Sequence, residues 1–165
     1  MNNNSLTIGI AQGNVVCCPE QLISYALGSC VGICLYDRKR KIAGMAHIML
    51  PHPGIPQELI NPYKFADSGC EELLRRMRTL GCVQSYVTAK IAGGASMFHT
   101  SEEVEGIGAR NVKAVKEVLG QLHIPVIAED TGKDYGRTII FDSATGALTV
   151  KSFKTGTIEI GRAHV

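Results

Sequence analysis

The residues best suited to chemistry in this sequence are Cys30 and His47. Cys30 follows Leu27-Gly28-Ser29, where a strand-like run gives way to two small residues. Small residues leave space for a substrate to approach the sulfur and for backbone N–H groups to point outward. Such a turn suits a nucleophile with an oxyanion hole, but it equally suits a tight turn that carries no chemistry.

A β-hairpin is the element that would bring the two side chains together. Two apolar, β-branched runs flank a charged segment, a pattern typical of antiparallel strands and their turn. A turn centred between Lys39 and Arg40 places Gly32 opposite His47. Cys30 and His47 then become diagonal neighbours on one face, with Cα atoms about 7–8 Å apart, and the missing side chain of Gly32 gives the imidazole room to lean toward the sulfur. A turn shifted by half a residue would put the pair on opposite faces.

An imidazole beside the thiol would change its reactivity. A free cysteine has a pKa of about 8.5 and is mostly protonated at neutral pH. We expect His47 to take the thiol proton, to stabilise the thiolate and later to protonate a leaving amine. A third group usually orients such an imidazole, and Ser24 could do so, although a backbone carbonyl would serve as well. Purely structural roles stay open: His47 as a histidine held in an apolar strand, and Ser24 as a polar residue on a strand's open face.

Composition limits the classes of function. The chain has 165 residues, suited to one domain, and a net charge of +2 with a pI of about 8.2. This balance argues against a dedicated nucleic-acid or membrane-surface binder, and no apolar run reaches the roughly 20 residues of a membrane span. The N-terminus lacks the features of a secretion signal, so we expect a cytoplasmic protein with reduced thiols. The cysteines and histidines do not show the spacing of a zinc site.

The elements that must position these residues are predicted from hydrophobic periodicity. A first helix is expected to begin at Asn61 and Pro62 and to end at Gly81, and a second to span about 108–122. Besides the hairpin strands, strands are predicted at 6–16, 22–27, 83–91, 124–128, 137–141 and 147–150. Strands outnumber helices and include adjacent hairpins, which favours an α+β fold over a doubly wound parallel sheet.

Longer motifs surround these residues in a fixed order. They are Leu27-Gly28-Ser29-Cys30-Val31-Gly32, Leu35-Tyr36-Asp37, Gly44-Met45-Ala46-His47-Ile48-Met49-Leu50-Pro51, Tyr63-Lys64-Phe65-Ala66-Asp67, Gly93-Gly94-Ala95-Ser96-Met97-Phe98, Ile107-Gly108-Ala109-Arg110-Asn111, and Ala128-Glu129-Asp130-Thr131-Gly132 with Gly136-Arg137. In these motifs the sequence resembles the CheD family, the chemoreceptor glutamine deamidases of bacterial and archaeal chemotaxis. The resemblance runs from about Gly13 to Lys151, the expected core of a single domain over 1–165 with short flexible termini.

The resemblance implies both a fold and a chemistry. The implied fold is a layered α/β sandwich with a mainly antiparallel or mixed sheet and two principal helices, similar to the cytotoxic necrotizing factor toxins. The implied activity converts receptor glutamine to glutamate, with Cys30 as nucleophile, His47 as general base and Ser24 in the place of a family threonine. Oxyanion donors are expected in the backbone around the nucleophile, at Gly28, Ser29 and Val31. Neither a metal nor an organic cofactor is required.

The implied partners are methyl-accepting chemotaxis receptors, whose cytoplasmic helical bundle requires an open groove rather than a deep pocket, and the phosphatase CheC. Nucleic-acid binding and membrane insertion are not expected. A non-catalytic docking module for CheC or receptors is the alternative, and a depressed pKa of Cys30 would favour catalysis over it. A redox sensor using Cys30 and Cys34 is disfavoured, since four residues along a strand span about 13 Å.

Overall fold

The chain folds into three layers, two β-sheets and a layer of two helices, in the computed structural model, which describes residues 4–53, 61–97 and 106–161. The strands are β1 (Ser5–Thr7), β2 (Gly13–Cys17), β3 (Gln21–Leu27), β4 (Val31–Asp37), β5 (Ile42–Ile48), β6 (Val87–Gly93), β7 (Val126–Thr131), β8 (Arg137–Asp142), β9 (Leu148–Ser152) and β10 (Gly156–Ile160). The helices are α1 (Ala66–Thr79) and α2 (Ile107–Gln121), and short 3-10 turns span Pro62–Lys64 and Gln84–Tyr86. No helix in these described ranges is long and apolar enough to cross a membrane.

The strand order confirms the α+β prediction. Sheet A has the order β1-β3-β8-β9-β10, and sheet B has the order β2-β5-β4-β6-β7. The β1–β3 and β6–β7 pairs are parallel, and the other pairs are antiparallel. In the β4–β5 hairpin Gly32 pairs with His47, which confirms the predicted turn.

Sheet B is the middle layer and is buried on both faces. One face packs on the helices through α1 residues such as Leu73 and Met77, and the other packs on sheet A residues such as Ile139 and Phe141. This is why β4 and β5 are buried along their whole length and read as continuous apolar runs rather than alternating ones.

The first helix begins later than the sequence indicates. Asn61 accepts a hydrogen bond from the backbone N–H of Tyr63 at 3.1 Å and caps the short 3-10 turn rather than α1. Phe65 then interrupts the helical path with an extended backbone, because it forms an isolated bridge with Leu50, two residues after β5. Tertiary pairing therefore overrides a local start signal, and α1 begins at Ala66.

Two strand predictions also differ in extent, and one strand was not predicted. The predicted strand 6–16 is divided between β1 in sheet A and β2 in sheet B. The predicted strand 83–91 begins only at Val87, because a 3-10 turn occupies Gln84–Tyr86. The strand β10 was not predicted from the sequence, and together with β1 it extends sheet A beyond the 13–151 range.

Candidate active site

Cys30 lies in the connection that leaves sheet A at the end of β3 and enters sheet B at β4. Its carbonyl accepts a hydrogen bond from Gly94 at 2.8 Å, and the carbonyl of Gly28 accepts one from Ala95 at 2.9 Å. The end of β6 comes so close that a Cβ at Gly93, whose φ is +110°, would lie 2.3 Å from the carbonyl oxygen of Cys30. Glycine at that position therefore allows β6 to hold the turn that carries the cysteine.

His47 lies in β5 and is 1% exposed. Its backbone is fixed on the side opposite β4, since its N–H donates to Gln12 at 3.0 Å and its carbonyl accepts from Ala11 at 2.8 Å. It pairs with Gly32, so its ring points into the layer between the sheets. Cys30 packs against the same inter-sheet cluster. The pairing of Gly32 with His47 is as predicted, whereas the diagonal placement of Cys30, which lies just before β4, stays a prediction.

Ser24 provides the contact that orients the imidazole. Its hydroxyl donates to the carbonyl of Ile8 at 2.6 Å and lies 2.7 Å from Nδ1 of His47. Because the single hydroxyl proton is used on Ile8, the serine oxygen can only accept from Nδ1, which assigns the ring proton to Nδ1. Nε2 is then an unprotonated acceptor; it is buried and has no hydrogen-bond partner among the described residues.

A β-bulge in β3 explains why Leu27 faces inward together with Ser24. The pairing with β8 shifts between Ser24 and Leu27, and Ala26 has a φ of +57°. Both Ser24 and Leu27 are buried, three positions apart, whereas a regular strand would turn one of them outward. Bulges of this kind redirect side chains next to functional sites.

The reason expected for glycine at position 32 is wrong. The sequence predicted that its missing side chain leaves room for the imidazole of His47. A Cβ there would instead lie 2.5 Å from Cδ1 of Ile139 and 3.2 Å from Cδ1 of Leu27. The missing side chain therefore lets sheet A pack closely on sheet B, and this packing brings Ser24 to the histidine.

Burial sets the charge state of the pair. Desolvation lowers the pKa of His47 from its ordinary 6.5 to about 4, so the ring is neutral at neutral pH. Burial also raises the pKa of the Cys30 thiol, while its own backbone N–H acts in the opposite direction. A depressed pKa of Cys30 is the outcome that would favour catalysis over docking, but burial raises this pKa instead. A low-dielectric site disfavours both the thiolate and the imidazolium. The geometry favours a neutral thiol and a neutral imidazole at rest.

The sulfur is nevertheless within reach of solvent. Cys30 is half-buried, and Met97, beside the turn that carries it, is 46% exposed. Met97 contacts the space over Gly28, and the next motif residue, Phe98, lies outside the described residues. A cleft of about 690 Å³ between α2 and β7 is lined by residues such as Lys113 and Thr131 and not by the cysteine.

The remaining residues of the proposed oxyanion region have structural contacts of their own. Val31 is fully buried in the core between sheet B and the helices. The carbonyl of Ser29 accepts a hydrogen bond from Asn111 at 2.9 Å. Sequence reasoning did not single out Asn111, although a polar residue in the apolar stripe of α2, in line with Val115 and Val118, was a usable signal.

Comparisons with known proteins identify the family of this chain. The family model described as CheD chemotactic sensory transduction matches residues 49–152. A Clostridium novyi (strain NT) protein named probable chemoreceptor glutamine deamidase CheD is 48% identical over 158 residues, covering 94% of this chain and 98% of the relative. Proteins of the same name from Clostridium botulinum are 44% (strain Alaska E43 / Type E3) and 46% (strain Hall / ATCC 3502 / NCTC 13319 / Type A) identical over 162 residues, covering 97% of this chain and 100% of each relative. The chain belongs to the CheD family.

Proposed function

We propose that this protein deamidates glutamine side chains of chemotaxis receptors through a thioester on Cys30. The observation that carries the proposal is the hydrogen-bonded pair of Ser24 and His47, whose Nε2 has no partner among the described residues and whose ring enters the inter-sheet layer against which Cys30 packs. Family membership supplies the substrate, since relatives with nearly full coverage bear the name chemoreceptor glutamine deamidase.

Acylation begins from the neutral pair. Nε2 of His47 takes the proton of Cys30 as the sulfur bonds to the carboxamide carbon of the glutamine, so charge develops only when substrate is present. Backbone N–H groups of the Gly28-Ser29-Cys30-Val31 segment stabilise the resulting oxyanion. The carbonyls of Gly28 and Cys30 already bind the end of β6, which holds the turn rigid for that purpose. The C–N bond then breaks as His47 returns its proton to the leaving nitrogen, releasing ammonia and leaving a thioester.

Deacylation reverses the roles with water as nucleophile. His47 takes a proton from water as the oxygen bonds to the thioester carbon, and the C–S bond breaks as that proton returns to the sulfur. Glutamine and water have become glutamate and ammonia, and the enzyme is restored. Throughout, the oxygen of Ser24 accepts a hydrogen bond from Nδ1–H of His47 and stabilises the transient imidazolium, because it lies 2.7 Å from Nδ1. The steps need no metal or organic cofactor.

An exposed side chain beside the turn suits a helical protein substrate. Met97 packs over Gly28 and is 46% exposed. A glutamine presented on the surface of a helical bundle could reach a half-buried cysteine beside this apolar side chain, whereas a deep pocket would exclude it. The substrate region of the receptors is cytoplasmic, so the proposed location of the enzyme is the cytoplasm.

Replacement of the cysteine tests the assignment. Cys30→Ala should abolish the conversion of receptor glutamine to glutamate, measured by peptide mass after incubation with a purified cytoplasmic receptor fragment. Cys34→Ala is the matched control, because Cys34 is also a cysteine of the inter-sheet cluster but is fully buried. Full conversion by Cys30→Ala would refute the proposal, as would loss of conversion in both variants to the same degree.

A docking role for CheC or receptors is the alternative function, and the same experiment separates the two. A docking module would bind the receptor fragment without changing the mass of its glutamine peptides. The geometry favours catalysis, because a docking surface does not need a buried histidine whose Nε2 is left without a partner.

A further inference from the structure

Asn111 is a polar side chain in the buried face of α2 that the proposed mechanism does not use. It is 0% exposed and lies in the second turn of the helix, four residues before Val115. Buried amides of this kind are retained in a core only when their hydrogen bonds matter, since an unpaired one is costly.

The amide joins the two segments that adjoin the reactive pair. Nδ2 donates to the carbonyl of Ser29 at 2.9 Å and to the carbonyl of Met49 at 2.9 Å. Ser29 directly precedes Cys30, and Met49 lies two residues after His47. One nitrogen therefore binds both the nucleophile's turn and the end of the histidine's strand.

The residue type matches this task. An amide nitrogen has two hydrogens, so it can satisfy two carbonyls at once, whereas serine has one hydrogen and an ionised aspartate has none. Oδ1 of Asn111 has no hydrogen-bond partner among the described residues. An unsatisfied oxygen in the core is unfavourable, so the two donated bonds are the reason for an amide at this position.

The helix is brought close enough for this contact by a glycine. A Cβ at Gly108 would lie 2.3 Å from the carbonyl oxygen of Ala95 and 2.6 Å from that of Gly94. Those two residues are the ones whose N–H groups bind the turn of Cys30. The first turn of α2, the end of β6 and the cysteine turn thus form one contact region.

We propose that Asn111 is a positioning residue, which fixes the distance and orientation between Cys30 and His47 by binding the carbonyls of Ser29 and Met49. This inference rests on the proposed function, because it assigns the purpose of the contact to the reaction of the pair. A purely structural amide would contribute to stability and leave the rate of the chemical step unchanged.

Two substitutions test the proposal. Asn111→Leu keeps a similar volume without donors, and Asn111→Ser retains one donor on a shorter side chain. Both should lower kcat for the receptor fragment by about 10–100-fold, the effect of a misplacement of about 1 Å in a reacting pair, while KM stays within about threefold because the docking surface is untouched. Should Asn111→Leu fail to fold, Asn111→Ser decides the question by the same readout.

Ser143→Ala is the control for stability. Ser143 is also 0% exposed and also donates to a backbone carbonyl, that of Glu20. It lies between β8 and β9, next to the start of β3, whereas Cys30 follows the end of β3. It should lower the melting temperature with kcat unchanged. If the Asn111 variants lower the melting temperature to a similar degree and retain the kcat of the parent, the positioning role is refuted. Cys30→Ala is measured in parallel: if it remains active, the proposed function fails instead.

Discussion

The burial of His47 predicts a specific dependence of stability on pH. The folded protein lowers the pKa of this ring to about 4, from 6.5 in an accessible histidine, because desolvation disfavours the imidazolium. Between those two values the unfolded chain binds a proton that the folded chain does not. The contribution of the neutral ring to the free energy of unfolding is therefore complete above about pH 6.5 and is lost as the pH falls toward 4.

The size of the effect follows from the two pKa values. Each tenfold difference in proton affinity corresponds to about 1.4 kcal/mol, so the step from 6.5 to about 4 amounts to about 3 kcal/mol at the acid end. The ring is 1% exposed, so solvent screening reduces this value little. A change of 3 kcal/mol is a large part of the 5–15 kcal/mol that is typical for a folded domain.

The assay compares two variants by urea unfolding, followed by circular dichroism, from about pH 7 to about pH 4. Both carry Cys30→Ala, so that no thiolate can pair with the ring, and one also carries His47→Gln. Protonation of carboxylates weakens both variants equally and cancels in the difference. The histidine variant should lose about 3 kcal/mol more than the glutamine variant. Parallel curves would refute the neutral buried ring, and a smaller loss in the histidine variant would show a protonated, paired one.

Two further substitutions test the packing around the imidazole. Ser24→Ala should lower kcat about 10–100-fold and the free energy of unfolding by about 1–3 kcal/mol, since Nδ1 of His47 and the carbonyl of Ile8 both lose their partner. Ser24→Thr, measured by the same two assays, keeps the hydroxyl and should retain kcat. Equal kcat in the parent and in both variants would contradict the orienting role. Gly32→Ala should lower the urea midpoint by an amount equivalent to about 1–3 kcal/mol, since its Cβ would lie 2.5 Å from Ile139; an unchanged midpoint would show that sheet A can yield at this point.

The sequence allowed an accurate prediction of strand pairing within one hairpin. The charged turn between two apolar runs fixed the pairing of Gly32 with His47, because a shift by one residue would move every side chain to the other face. Ser24 was harder to assign. It faces inward by ordinary alternation with Leu22, but its partner, Nδ1 of His47, belongs to the other sheet, and alternation along one strand does not report that contact.

Long-range packing limited the rest. The start of α1 was misplaced because Phe65 pairs with Leu50, a contact between distant segments that outweighs the cap at Asn61. Gly93 and Asn111 appeared only as parts of matching motifs. Both contact the cysteine turn through tertiary structure, and periodicity along one helix or strand cannot report which other element lies against it.

The origin of the three proposed catalytic groups has a consequence for how activity depends on packing. Ser24 belongs to sheet A, His47 to sheet B, and Cys30 to the connection between them. The contact of 2.7 Å between Ser24 and His47 is therefore a contact between sheets, held by the apolar layer that includes Leu27 and Ile139. A hydrogen bond weakens steeply with distance and angle, whereas an apolar layer tolerates small shifts at modest cost. Loosening of the inter-sheet layer should thus impair the orientation of the imidazole before it unfolds the domain.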